Sequence, residues 1–149
     1  MGRSTRSGHV PYLTMATTGG DPIRALDRAD CLRLLSHSQV GRLALTMDAL
    51  PVVQPVRYAL CEDLVVFPAR RGSRLESATL GAVVAFQTDC FDTAADDGWS
   101  VLVTGIAQPV DAPARCAQAE LMLGPQVHED NRLVGLPTEV ITGQRFGQP

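Results

Sequence analysis

The sequence predicts a mainly β protein, a small antiparallel barrel of about six strands with short helices at its ends. Two patterns carry this. Apolar and polar residues alternate with period two over several short stretches. Those stretches follow one another across tight turns, without the long helical crossovers that a parallel sheet needs. A chain of 149 residues, 45% hydrophobic and 19% charged, suits one globular domain with a real core.

Residues 1–22 are rich in Gly, Ser, Thr and Arg and lack periodicity, so they read as a mobile tail before a single domain at 23–149. Met15 is an alternative start. A helix is expected over 27–35, with Asp27 as cap, Asp30 in the first turn and Cys31, Leu32, Leu34 and Leu35 on one apolar face. It should fray over 36–38. In the strand 41–47, Leu43, Leu45 and Met47 alternate with Arg42, Ala44 and Thr46. After a turn at 48–51 comes a strand at 52–60. Pro55 has no N–H and marks an edge, bulge or kink there. A tight turn at 61–63 leads to a strand at 64–67 that stops at Pro68, completing an antiparallel meander.

A short helix follows at 75–80. The apolar run 81–89 reads as a strand buried on both faces. The loop 92–98 is acidic, and 99–107 is another strand. A helix over 114–123 has Pro113 at an allowed early position and Gly124-Pro125 as its stop. One more strand is expected around 139–142.

Between the third strand and the short helix lie Arg70, Arg71, Gly72, Ser73 and Arg74. A basic, glycine-containing turn at a helix start reads in two ways. It is either a solvated surface turn or a phosphate site, where free N–H groups and forked arginine donors meet an anion.

Other classes are excluded more simply. A net charge of −3 argues against a general nucleic-acid binder. No apolar run has the length of a membrane span, and no h-region follows the basic N-terminus, so a cytoplasmic protein is expected. The four cysteines, Cys31, Cys61, Cys90 and Cys116, form no C-x-x-C pair. Neither zinc nor a disulfide framework is expected, and they read as buried or half-buried thiols. His9, His37 and His128 are not spaced for a metal or a triad. Ser73 and Ser100 have no visible base, and no general acid or base stands out.

With these elements in place, the chain resembles the pyridoxamine 5′-phosphate oxidase-like family, the FMN-binding split β-barrels. The resemblance rests on Val40-Gly41-Arg42-Leu43-Ala44, on Leu50-Pro51-Val52-Val53-Gln54-Pro55-Val56-Arg57-Tyr58, on Gly72-Ser73-Arg74-Leu75 and on Gly98-Trp99-Ser100-Val101-Leu102-Val103-Thr104-Gly105, with Ile141-Thr142-Gly143-Gln144-Arg145 as a last strand. It implies a homodimer with flavin sites at the interface and a small-molecule substrate. Pro55, Val56, Arg57 and Tyr58 would lie along the isoalloxazine, Ser73 and Arg74 near the phosphate, and Trp99 and Ser100 would come from the partner chain.

Two positions depart from the pattern. Relatives often have Arg-Thr where this chain has Pro68-Ala69, and Arg70 or Arg71 would have to replace that charge from another direction. Relatives also tend to have Asn at Arg57. That arginine reads as a pocket residue or as a strand-surface charge, and Tyr58 as a core residue or a flavin contact. The leading expectation is an FMN-dependent oxidoreductase, in which the cofactor carries the chemistry. The alternatives are the same barrel holding a deazaflavin or haem, and a cofactor-free dimeric interaction or regulatory module.

Overall fold

A computed structural model describes residues 23–110 and 117–147. The chain folds into two antiparallel sheets around a common core. Its elements are β1 (Arg24–Leu26), α1 (Arg28–His37), β2 (Val40–Met47), β3 (Leu50–Arg57), β4 (Ala59–Cys61), β5 (Leu64–Arg70), α2 (Arg74–Thr79), β6 (Val83–Asp92), β7 (Asp97–Ile106), β8 (Gln108–Pro109), α3 (Ala117–Leu123), a 3-10 turn (Gly124–Gln126), β9 (Asn131–Pro137) and β10 (Val140–Phe146). A six-stranded sheet runs β1-β10-β7-β6-β2-β3, and a four-stranded sheet runs β4-β5-β9-β8. This is the small antiparallel barrel that the alternation and short turns predicted, with ten strands rather than about six, and split into two sheets as the resemblance implies. The expected tail at 1–22 and Pro113 lie outside the described residues.

The chain passes between sheets four times, once through α2 and three times at corners: Tyr58 between β3 and β4, Ala107 between β7 and β8, and Thr138 between β9 and β10. Each corner residue is buried, and each N–H leaves the ladder for another partner. Tyr58 donates to the Gln39 carbonyl at 3.0 Å, Ala107 to Ala82 at 3.1 Å, and Thr138 to Asp63 at 3.0 Å. A buried N–H without a partner would be costly, so these bonds are what let the chain turn inside the core. The expected strand at 52–60 is therefore two strands in different sheets, and the expected meander is two hairpins. Arg28 clamps the third corner, with its guanidinium donating to the Thr138 carbonyl and to its hydroxyl.

α1 closes one end of the barrel. Asp27 caps it, accepting from the Asp30 N–H at 2.8 Å. Cys31, Leu34 and Leu35 are buried beneath it. Burial, with Asp27 and Asp30 nearby, pushes the Cys31 thiol up to about 11, so it stays a neutral core group. Cys61 is also buried, whereas Cys90 is exposed, contrary to the reading of all four as buried or half-buried. Cys116 lies outside the described residues.

Three further expectations need correction. β6 is not covered on both faces: Val84, Phe86 and Thr88 are buried, while Val83 is 68% exposed. β5 does not stop at Pro68 but continues to Arg70, with Pro68 opposite Leu133 of β9. β4 covers β5 only from Leu64 to Val66, so a missing N–H at Pro68 costs no ladder bond on that side. The C-terminal region holds two strands rather than one. Pro55 does mark an edge, because β3 is the last strand of the larger sheet.

The two sheets differ in how they are covered. The smaller sheet packs its inner face into the main core, and its outer side meets α3 through Ala59, Cys61, Val66, Ala119 and Leu123. The larger sheet has one buried face and one bare one. Across the bare face the register aligns Val53, Ala44, Ala85, Thr104 and Val140 in one row. Val83 and Ile106 pair beside that row. Val53, Val83, Ile106 and Val140 are all exposed, so this part of the face is an uncovered apolar patch, beside a polar part that holds Arg42, Gln87, Asp89 and Ser100.

Candidate functional site

A cleft of about 360 Å³ opens where β3 is a free edge and β5 has outrun β4. Val40, Val56, Pro68 and Leu75 give it apolar walls, with Pro55 at the rim. Gln54, Arg57 and Gln126 supply its polar groups. The cleft follows from strand lengths: β4 ends opposite Val66, which leaves Pro68 without a strand neighbour on that side.

Arg57 lines the cleft, further arginines lie on the neighbouring elements, and the structure allocates them unequally. The Arg71 side chain donates through Nε to the Glu129 carbonyl at 2.8 Å. Arg132 donates through Nε to Glu76 Oε2 at 3.0 Å. Arg74 is exposed and ion-paired with exposed Asp48. Among the described residues, Arg57 and Arg70 make no side-chain hydrogen bond and stay available to a ligand.

The backbone of the basic turn is less available than its sequence suggests. Gly72 donates its N–H to Glu76 Oε1 at 3.1 Å. Ser73 donates to the Arg70 carbonyl at 3.0 Å and Arg71 to the Asp130 carbonyl at 2.8 Å. The Glu76 N–H goes to Ser73 Oγ at 3.2 Å. These four N–H groups are already bonded, one of them to Asp130, so an anion there relies largely on side chains. Ser73 Oγ is already an acceptor, but its hydroxyl hydrogen can still be donated.

Glu76 holds this turn together. The Gly72 N–H, and then Arg132, keep its carboxyl below the ordinary value of 4.5. A depressed carboxylate pKa stabilises the fold above the unfolded value, and that contribution is lost as pH falls through the lower folded value. Glu76→Gln should therefore be less stable than the parent at pH 7. The difference should narrow as the pH is lowered from 7 toward 3 and the Glu76 carboxylate takes up its proton. Urea titrations at the two pH values check this, and an equal gap at both would refute it.

The residues singled out from sequence divide as follows. Pro55, Val56 and Arg57 line the cleft. Ser73, Arg70, Arg71 and Arg74 lie in or beside the turn between β5 and α2 and do not line the cleft; Arg74 lines a second cleft with Thr46, Met47, Asp48, Ser77 and Ala78. Tyr58 does not line it: the ring is 1% exposed, meets Phe86 edge-on at 4.7 Å, and donates its hydroxyl to the Leu35 carbonyl at 2.6 Å. Its role is to join the first corner to the end of α1, and burial raises its pKa. Trp99 and Ser100 lie on β7, with β6 and β2 between them and the cleft edge β3. As adjacent strand residues they point to opposite faces. Trp99 packs against the core, and Ser100 Oγ accepts from Gln87 Nε2 at 3.2 Å. Within one chain neither meets the cleft. Gln54, Pro68, Leu75 and Gln126 line it without having been chosen as site residues. Among the described residues no group of three or more His, Cys, Asp or Glu is placed to hold a metal, and no helix is long and apolar enough to cross a membrane.

Comparisons agree with this architecture. A family model described as pyridoxamine 5′-phosphate oxidase matches residues 27–144. The uncharacterized protein Rv0080 of Mycobacterium tuberculosis is 34% identical over 127 residues, covering 81% of this chain and 84% of that protein. Among solved structures, the FAD binding protein from Mycobacterium smegmatis superposes with a TM-score of 0.70 at 29% identity, covering 83% of this chain and 99% of that one. A conserved protein of unknown function from Corynebacterium diphtheriae gives 0.66 at 30% identity, covering 85% and 99%. With its two antiparallel sheets and a family match spanning most of its length, this chain belongs to the pyridoxamine 5′-phosphate oxidase family.

Proposed function

We propose that the chain is a flavin-dependent oxidoreductase that acts as a homodimer on a small-molecule substrate. The cleft beside β3 carries this reading, because its donor set fits the part that all flavins share. A flavin ring is flat and apolar on its faces and polar along one edge. Val40, Val56 and Pro68 offer apolar walls, and Gln54, Gln126 and Arg57 offer edge groups. Arg70, Arg74 and the Ser73 hydroxyl stand where a first phosphate would need donors. That half is FMN itself, or the same portion of FAD. The M. smegmatis structure, an FAD binding protein by description, supports the choice of a flavin. Haem fits less well, since no histidine, cysteine or methionine lines this cleft.

When bound, a flavin supplies hydride and electron transfer. The chain's own residues would bind, orient and exclude water. Arg57 would place a fixed charge at the carbonyl edge of the ring, and the apolar walls would keep solvent from its faces. No carboxylate, histidine, lysine or cysteine lines the cleft, so protons would come from solvent or substrate. The apolar patch on the bare face of the larger sheet supports the homodimer, because a contiguous exposed apolar patch is ordinarily covered.

The first test is a visible spectrum of purified protein, before and after adding flavin and removing the excess. Flavin bands that stay with the protein and bleach with a reduced nicotinamide are the expected result. A spectrum that stays flat would end this reading and leave the deazaflavin, haem and cofactor-free readings. Arg74→Ala should weaken flavin binding about tenfold, the low end for a charge-assisted bond, since Asp48 already competes for the guanidinium. Quenching of flavin fluorescence measures this, and unchanged affinity would remove Arg74 from the site.

A further inference from the structure

We infer that Arg57 takes the place of a proton when a flavin in the cleft is reduced, so that the cleft holds the reduced ring as an anion and binds it more tightly than the oxidised one. This rests on the flavin reading above and adds the direction in which the site favours electron flow. A hydride carries one hydrogen and an electron pair. When it passes from a reduced nicotinamide to the neutral oxidised ring, a C–H bond breaks, an N–H bond forms, and the nicotinamide leaves as its oxidised cation. The ring is left with one negative charge along its polar edge. Either a further proton or a fixed cation can answer that charge.

The lining offers the cation and not the proton. Its polar side chains are Gln54, Gln126 and Arg57, with no carboxylic acid, histidine, lysine or cysteine among them. Amides are not proton donors at neutral pH, and a guanidinium holds its charge. Arg57 ends β3 opposite Val40, and both residues line the cleft. Among the described residues Arg57 makes no side-chain hydrogen bond, so no carboxylate already answers its charge. The apolar walls reduce the screening of a charge held beside it.

The acidic groups on the surrounding elements are engaged elsewhere. Asp89 on β6 accepts from Arg42 Nη1 at 3.0 Å. Asp48 at the β2–β3 turn pairs with Arg74. Glu76 on α2 accepts from the Gly72 N–H and from Arg132. Beyond Gln126, Asp130 lies 3.4 Å from His128 Nδ1, and Glu129 is exposed outside the lining. Arg70 and Arg71, at the end of β5 and just past it, have the same sign as Arg57. The field over the cleft is therefore positive, and it favours the form of the ligand with one more negative charge. Arg57 thus disposes the site to take up a hydride, and the electrons must leave to an acceptor of higher potential.

The test uses the full chain loaded with FMN, reduced without oxygen and equilibrated against a reference dye. Reduced FMN should bind at least about tenfold more tightly than oxidised FMN, which reads as a potential at least about 30 mV above that of free FMN. The near-ultraviolet spectrum of the reduced complex should stay that of the anion from about pH 8 to about pH 5.5, a range in which free reduced FMN takes up its proton. Arg57 is exposed, so Arg57→Gln removes the charge without touching the core. It should lose the raised potential and regain the protonation, while oxidised FMN binding within about threefold reports a folded variant. Arg57→Lys should restore most of both effects. A parent potential no higher than that of free FMN, or a raised potential that survives Arg57→Gln, would overturn the role of Arg57 and leave the flavin reading standing. Binding of neither oxidised nor reduced FMN would overturn both.

Discussion

Truncating Phe86 to alanine is expected to destabilise the protein by about 3–5 kcal/mol, the cost of deleting a buried ring that its surroundings cannot replace. For a chain of this size the melting temperature should fall on the order of 10 °C or more. Phe86 is fully buried at the middle of the larger sheet, where β6 pairs with both β2 and β7. Its ring lies edge-on to Tyr58 with an interplanar angle of 66°. On another side it covers Gly41 so closely that a Cβ there would overlap it. These neighbours are strands and a corner fixed by their own hydrogen bonds, so the hole has little means of closing. Thermal melts followed by circular dichroism give the answer. A drop of about a degree would mean that the barrel repacks, and the core would be softer than its geometry implies.

Ala44→Glu is expected to turn the proposed dimer into a monomer and to take the proposed flavin binding with it. Ala44 sits in the apolar row between Val53 and Ala85 on the bare sheet face. In an isolated chain the new carboxylate faces water and costs the fold little. In a dimer that covers this face it is buried without a partner, at about 3–5 kcal/mol for each uncompensated charge. Light scattering during gel filtration reports the mass, and the flavin spectrum reports the site. A variant that remains dimeric and yellow would show that this face is not the interface.

The fold was legible wherever one side of a strand meets water. β2, β7 and β10 announce themselves by alternation or by apolar runs between turns. β9 does not, because Val134, Gly135 and Leu136 are buried in succession and leave no period to read. β1 and β8 are too short to leave one. The break at Tyr58 was invisible for a different reason: both halves of that stretch favour strand, and only the second sheet makes the corner. At the site, the sequence located Pro55, Val56, Arg57 and the basic turn. It did not foresee that the turn would consume its own N–H groups, although Ser73 and Glu76 form a Ser-x-x-Glu helix-start signature that hints at it. Gln126 carried no signal at all, since it reaches the cleft from a distant connection.

The pairing of β1 with β10 has a consequence for how the protein is made. Arg24 lies opposite Arg145, so the first strand finds its partner only when nearly the whole chain exists. β10 also pairs with β7, and until it arrives both its neighbours expose edges. The sheet therefore stays open until β10 has been made, and closing it is a step of very high sequence separation, the kind that folds slowly. Joining the described ends and reopening the chain at the exposed β6–β7 hairpin would make that contact local. Such a permutant should refold faster than the natural order.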